Sequence, residues 1–232
     1  MTGAKPGGES SADPHSRAVN LTEELADVGI RAPGSSLIYR PRSYVERLNL
    51  AEMFEAVRPL EVELGSGDGS FLAQYARSHP EHNFLGVERL LGRLRKLDRK
   101  GLRFGLSNLK LIRLEASYVV EYLLPPGSVH AMHIYFPDPW PKRRHHKHRL
   151  INPRFAEAVQ PALEPGGRIY FRTDDTEYFA QLSEVFGLNP AFQPAETPGS
   201  LSAVVTDFER NFQARGIPTL RAAYSNVGSI QG

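Results

Sequence analysis

Leu60-Glu61-Val62-Glu63-Leu64-Gly65-Ser66-Gly67-Asp68-Gly69-Ser70 is the segment on which the fold turns. Leu60–Leu64 alternates apolar and acidic residues and reads as a short strand. Three alternating glycines follow, which let a backbone turn sharply and approach a ligand closely. Ser70 then opens an apolar-periodic stretch to Ser78 that reads as a helix with a serine cap. A strand, a glycine-rich turn and a helix in that order form the ligand-binding corner of a doubly wound sheet. The spacing is G-x-G-x-G, not the G-x-G-x-x-G of dinucleotide binders, and no G-K-[ST] follows to cradle a phosphate.

Outward from this corner, strands and helices alternate. Strands are expected at 84–88, 109–114, 129–136 and 168–173, with Pro137 stopping the fourth of the series that starts at 60–64. Helices are expected at 70–78, 90–104, 155–163 and 176–186, with Glu164-Pro165-Gly166-Gly167 ending the third. A further helix is expected at 44–57, a short one within 206–216 and a last strand at 220–224. Repeated strand–helix units predict an α/β fold, a doubly wound, mostly parallel sheet with helices on both faces. Residues 1–20, rich in Gly, Ser, Pro and Ala, read as a disordered tail; 21–59 form a lead-in with its helix; 60–232 form the main domain.

The charges of the corner select its ligand. Glu61, Glu63 and Asp68 lie in or beside the turn, where a pyrophosphate would face carboxylates. S-adenosylmethionine carries no phosphate but a sulfonium and an ammonium, so an acidic turn suits it. Glu63 and the backbone at Gly65 and Gly67 are the expected cofactor contacts. Glu88, ending the second strand, stands where a carboxylate accepts from ribose hydroxyls. Glu115, after the third strand, is placed to accept from the adenine amino group.

The 232 residues are 41% hydrophobic and 23% charged, enough apolar material for a core and too much for a disordered chain. No apolar run approaches the roughly 20 residues that span a bilayer, and the first residues lack the apolar core of a secretory signal. Cysteine is absent, which removes disulfides, thiolate metal sites and a cysteine nucleophile. A cytoplasmic protein is expected. The net charge is +2, but Arg89–Arg113 holds nine Lys/Arg and one acid, and Lys142–Arg149 holds five Lys/Arg and none. Such blocks present a local positive field that favours a polyanion such as nucleic acid. The first block reads equally well as a solvated helix face.

A second motif follows the fourth strand: Phe136-Pro137-Asp138-Pro139-Trp140-Pro141-Lys142-Arg143-Arg144-His145-His146-Lys147-His148-Arg149. Two prolines fix the backbone around Asp138 and hold its carboxylate at the edge of the sheet where chemistry occurs. Trp140 offers either a plane for a base to stack on or a packing residue. The basic run supplies phosphate contacts. His145, His146 and His148 lie among five cations with no acid to complete a metal site, so no metal is expected.

With these residues in place, the chain resembles the tRNA (guanine-N7)-methyltransferase family. The FPDPW-x-K-x-R-H-x-K-x-R segment carries the resemblance, supported by the E-x-G-x-G-x-G turn, Glu88, Phe171–Asp174 and Thr206–Glu209, over roughly residues 35–224. The resemblance implies a Rossmann-like class I methyltransferase fold and methylation of guanosine 46 of tRNA at N7. It implies cofactor contacts at Glu63, Glu88, Glu115 and Asp138, with Glu115 standing where the family has Asp or Asn. It implies substrate contacts at Lys142, Asp174, Thr206, Asp207, Phe208 and Glu209, and Asp138 as the catalytic residue. Asp174 has a second reading, as the cap of the helix starting near Thr176. Other readings of the residues alone are a methyltransferase of another RNA, a protein or a small molecule, and a non-catalytic RNA-binding module. An NAD-dependent oxidoreductase is disfavoured by glycine spacing and loop charge.

Overall fold

The computed structural model describes residues 36–228. The tail expected at 1–20 and the lead-in before Ser36 lie outside the described residues. A seven-stranded sheet runs through the molecule: β1 Leu60–Leu64, β2 Asn83–Val87, β3 Leu109–Ile112, β4 Val129–Tyr135, β5 Leu163–Thr173, β6 Phe192–Pro194 and β7 Leu220–Asn226. Their spatial order is β3-β2-β1-β4-β5-β7-β6. β1 to β5 pair in parallel, while β7 runs antiparallel to both β5 and β6. The chain leaves β1 towards β2 on one side and later returns to place β4 on the other. That reversal opens a crevice at the carboxyl end of β1.

Strand alternation sorts the side chains into two cores. Leu60, Val62 and Leu64 face a core closed by Met53, Phe54, Val119–Leu124, the helix Pro153–Val159 and the helix Thr176–Gly187. The opposite face packs on the helices Leu72–Ser78 and Leu91–Arg103 and on Leu201 of the short helix Gly199–Ala203. Helices therefore cover both faces, as the strand–helix alternation predicts. Among the described residues no helix is long and apolar enough to cross a membrane.

Besides the helical turns Ala116–Tyr118 and Val119–Leu123, the strand β6 and the short helix Gly199–Ala203, none of which the sequence reading placed, local structure departs from it in four places. The helix expected at 44–57 is one turn, Leu50–Met53. Upstream, the Leu48 amide donates to the Leu123 carbonyl at 2.8 Å and Arg47 donates to the carbonyls of Glu121 and Leu124, which holds that stretch extended. The helix expected from Ser70 begins at Leu72, and its cap position is Phe71, with no side-chain cap. The Gly69 amide instead donates to the Ser66 carbonyl, adding a turn before the helix. The helix expected at 155–163 is capped by Asn152, whose side chain accepts from the Phe155 amide at 3.1 Å. It ends at Val159 and passes into a 3₁₀ turn, Gln160–Ala162, because Pro161 has no N–H to continue it. Glu164–Gly167 belongs to β5, where the pairing with β4 shifts register as a bulge, and does not act as a helix stop.

The lead-in takes part in the packing. Leu37 is buried, Ile38 forms a parallel bridge to Leu111 at the outer edge of β3, and the Tyr39 amide donates to the Leu111 carbonyl at 2.7 Å.

Candidate active site

The glycine turn is pinned to the end of β2. The amides of Gly65 and Ser66 both donate to the Val87 carbonyl, at 2.9 and 3.0 Å, and the Gly67 amide donates to Glu88 Oε2 at 3.1 Å. Gly65 and Gly67 take φ of +76° and +57°, a region costly for residues with a Cβ. A Cβ on Gly65 would meet nothing, and one on Gly67 only the Gly65 carbonyl at 3.9 Å. The glycines are thus demanded by the backbone, and the space beside them is open to a ligand.

Glu88 is buried and accepts from the Leu90 amide at 2.7 Å as well as from Gly67. Each carboxylate oxygen keeps a lone pair for a further donor. Glu63 is also buried, and its Oε2 has no hydrogen-bond partner. Burial pushes its carboxyl well above the usual range; the charge of Arg172 opposes this, and Glu88 and Asp68 add to it. An orphaned buried carboxylate oxygen beside an open glycine cradle fits a cationic ligand and disfavours an anionic one. Glu61, counted with the turn on sequence, is engaged elsewhere. Its carboxylate bonds His133 Nε2 at 2.6 Å and His82 Nδ1 at 2.5 Å. Burial alone would raise its carboxyl, but these partners outweigh that and hold it low.

Gly65, Glu88, Glu115 and Asp138 line one cavity of about 370 Å³, with Tyr135 and Trp140. The sheet thus brings the first motif and the FPDPW motif, more than 60 residues apart in sequence, to a common mouth. Glu115 is exposed, 3.7 Å from Arg89 Nε. Asp138 is exposed between two strained residues, Phe136 at φ +51° and Trp140 at φ +46°. Neither is glycine, and such backbone persists only where its surroundings enforce it. Two anchors do so. The Phe136 amide donates to the Arg172 carbonyl at 2.7 Å, and Arg149 Nε donates to the Pro139 carbonyl at 2.6 Å.

Arg149 is a correction to the sequence reading, which grouped it with the phosphate-binding cations. Its guanidinium is buried, lies 5.0 Å from the Tyr178 ring centre and donates to Gln181 Oε1 at 2.6 Å. Arg143, Arg144 and Lys147, with Lys142 before them, are exposed on and beside the 3₁₀ turn Arg143–His148. Trp140 packs on His148 at 5.2 Å and His145 at 5.8 Å while staying partly exposed, so it packs and still leaves part of its ring open.

Of the expected cofactor contacts, Glu63 and Gly67 do not themselves line the cavity, and Lys142 and the remaining candidates also lie outside its lining. Asp174, half-buried after β5, is not the helix cap; Asp175 is, accepting from the Tyr178 amide at 2.7 Å. Thr206 and Glu209 form a reciprocal capping box for the helix Asp207–Gln213 and are both buried. Glu209 Oε2 accepts from Arg172 Nη1 at 2.8 Å and Oε1 from Arg221 Nη2 at 2.7 Å. Asp207 is exposed and paired with Arg210. Phe208 is half exposed and stacks on Phe136 at 5.9 Å. Arg172, which the sequence reading placed in the Phe171–Asp174 segment but gave no role, ties these parts together. It is buried, 4.2 Å from the Tyr135 ring centre, and donates to the carbonyls of Leu201 and Val204 besides Glu209. Its one sequence signal was a cation directly after the apolar run Ile169–Phe171, in a strand destined for the core. Among the described residues no group of His, Asp or Glu is arranged to hold a metal ion.

Comparison with known proteins matches this architecture. Residues 57–222 match a family model described as "Putative methyltransferase". A tRNA (guanine-N(7)-)-methyltransferase of Rubrobacter xylanophilus is 34% identical over 183 residues, 77% of this chain and 82% of that one. One of the same name from Alkalilimnicola ehrlichii is 34% identical over 170 residues, 73% of this chain and 72% of the relative. Among solved structures, the 16S rRNA methyltransferase KamB superposes with a TM-score of 0.58 at 15% identity, covering 78% of this chain and 94% of the other, a likeness of fold alone. The family match spans both the glycine corner and the FPDPW loop that meet at the cavity, and with it the chain belongs to the tRNA (guanine-N7)-methyltransferase family.

Proposed function

We propose that the protein transfers a methyl group from S-adenosylmethionine to N7 of guanosine 46 in tRNA, in the cytoplasm where tRNA is used. The observation that carries this reading is the shared cavity, which sets the acid-rimmed glycine cradle against Asp138 and Trp140. When bound, S-adenosylmethionine supplies an electrophilic methyl on a sulfonium. Glu63 and Glu88 would hold the cofactor, Glu63 through its unpartnered oxygen and Glu88 through its free lone pairs. Glu115 is the candidate acceptor for the adenine amino group.

Guanine N7 is an acceptor with a free lone pair, so no proton has to leave it. The protein's task is to position the base and to tolerate the positive charge it acquires. Asp138, fixed by Arg149 and the flanking strained backbone, puts a carboxylate at the mouth for that purpose. Asp174 is the candidate acceptor for the base's N1–H and amino group. Phe208 and Asp207 present the exposed edge of the capping-box helix to the tRNA, while Thr206 and Glu209 support it from beneath.

The test is methyl transfer from labelled cofactor to unmodified tRNA, followed by nucleoside analysis. One 7-methylguanosine per tRNA is expected, lost when guanosine 46 is replaced by adenosine. A labelled nucleoside other than 7-methylguanosine, or none, overturns the reading.

A further inference from the structure

We propose that the exposed face of the helix Leu91–Arg103 is a second phosphate-contact surface, which grips the backbone of the same tRNA on the β2 side of the cavity. This rests on the tRNA reading above.

The helix sorts its residues by sign. Leu94, Leu97, Asp98 and Gly101 are buried. Asp98, its one acid, therefore faces inward, where it accepts from the Leu37 amide at 2.8 Å. Arg93, Arg95, Lys96, Arg99 and Arg103 are exposed and Lys100 half-buried, so the outward face carries six cations and no anion. None of the six forms an ion pair with an acid among the described residues, whereas Arg89, just before the helix, does.

Solvated helices ordinarily intersperse the two signs, and like charges three or four residues apart repel. Arg95 and Arg99, Lys96 and Lys100, and Arg99 and Arg103 all stand at that spacing. The macrodipole favours Lys100 and Arg103 near the carboxyl end but opposes Arg93 in the first turn. The arrangement thus works against the isolated helix and suits a polyanion laid along it.

The face is continuous with the site. Arg89, Leu90 and Arg93 line the cavity, so the row of cations starts at its mouth and runs away for the helix's length, about 20 Å. The exposed cations Lys142–Lys147 follow β4 and the helix follows β2, on opposite sides of β1 in the sheet. A tRNA presenting its base at Asp138 would be held on both flanks.

The experiment compares parent protein with an R95Q/K96Q/R99Q/R103Q variant, none of whose substituted positions lines the cavity. Filter binding of tRNA over a salt series is measured, with cofactor affinity by calorimetry as a check on the fold. The variant is expected to bind tRNA tenfold or more weaker, with a log–log salt slope reduced by about 2–4, since each phosphate contact contributes roughly 0.7–0.9. Should the quadruple variant lose cofactor binding, the R95Q/K96Q and R99Q/R103Q pairs are measured, each with an expected slope reduction of about 1–2. An R95K/R99K/R103K variant should keep the parental slope. Parental affinity and slope in the Gln variants overturn the proposal and leave a solvated face. A parent that binds no tRNA overturns the tRNA reading itself, and this surface with it.

Discussion

Arg172 and Glu209 stand 37 residues apart in sequence and 2.8 Å apart in the fold, both shut away from solvent. The pair joins the end of β5 to the helix Asp207–Gln213, and so sets Phe208 on Phe136, beside Asp138. Both oxygens of Glu209 are taken, by Arg172, Arg221 and the Thr206 amide. Its effect on the reaction therefore passes through other residues.

Glu209→Ala strands a buried guanidinium, an uncompensated charge worth about 3–5 kcal/mol of stability. Denaturant unfolding should show that loss. An Arg172→Met, Glu209→Leu double variant should recover much of it. A Glu209→Ala protein with parental stability but a raised KM for tRNA would make Glu209 a direct substrate contact.

Arg149 and its neighbours should separate cleanly in kinetics. Arg149→Met frees the Pro139 carbonyl and loosens Asp138, so kcat should fall about 10- to 100-fold, the scale of a misplacement near 1 Å. The salt slope of tRNA binding should not move. Replacing Arg143, Arg144 and Lys147 by Gln should do the reverse, lowering the slope by about 2–3. An Arg149→Met variant that loses slope and keeps kcat would return Arg149 to the phosphate contacts.

The fold was legible because its signals are local. The β1–turn corner, the alternation of strands and helices and a last strand over 220–224 appear where the pattern placed them, while the antiparallel direction of that strand is seen only in its pairing with β5. What escaped depended on partners distant in the chain. The stretch before Asn49 looks helical until the Leu123 carbonyl draws it straight. Arg149 looks like its basic neighbours, and only packing shows it turned inward under Pro139. Glu61 and Glu63 both read as acids of the turn by charge, yet His133 and His82 occupy Glu61, while Glu63 Oε2 has no partner. Side-chain burial of polar groups is set by the tertiary fold, which periodicity does not encode.

Glu63 gives the site a pH signature. Burial holds its carboxyl well above the ordinary carboxylate range in the folded protein. The folded state thus keeps this proton to higher pH than the unfolded chain. The stabilisation from it is complete below the unfolded carboxylate pKa and is lost as pH rises through the folded value. A cationic cofactor needs the ionised carboxylate, so binding should expel the proton, and affinity should rise with pH until Glu63 ionises unaided. Calorimetry in buffers of different ionisation enthalpy should detect that release, and Glu63→Gln should abolish it. A parent that releases no proton would remove Glu63 from the cofactor contacts.

Glu88→Ala removes an acceptor from both the turn and the cofactor. S-adenosylmethionine should bind about 1–3 kcal/mol more weakly, the scale of lost charged hydrogen bonds. Unchanged affinity by calorimetry would confine Glu88 to bracing Gly67 and Leu90.

The central claim is that Asp138 serves as a pre-placed charge for a base that becomes cationic at N7. Single-turnover methyl transfer by Asp138→Asn, with tRNA and cofactor both saturating, tests it most directly. The rate should fall about 10²-fold or more, the effect of removing one pre-organised electrostatic group, with tRNA affinity and stability unchanged. An asparagine variant reacting within a few-fold of the parent would contradict the claim and leave Asp138 as a turn residue of the loop.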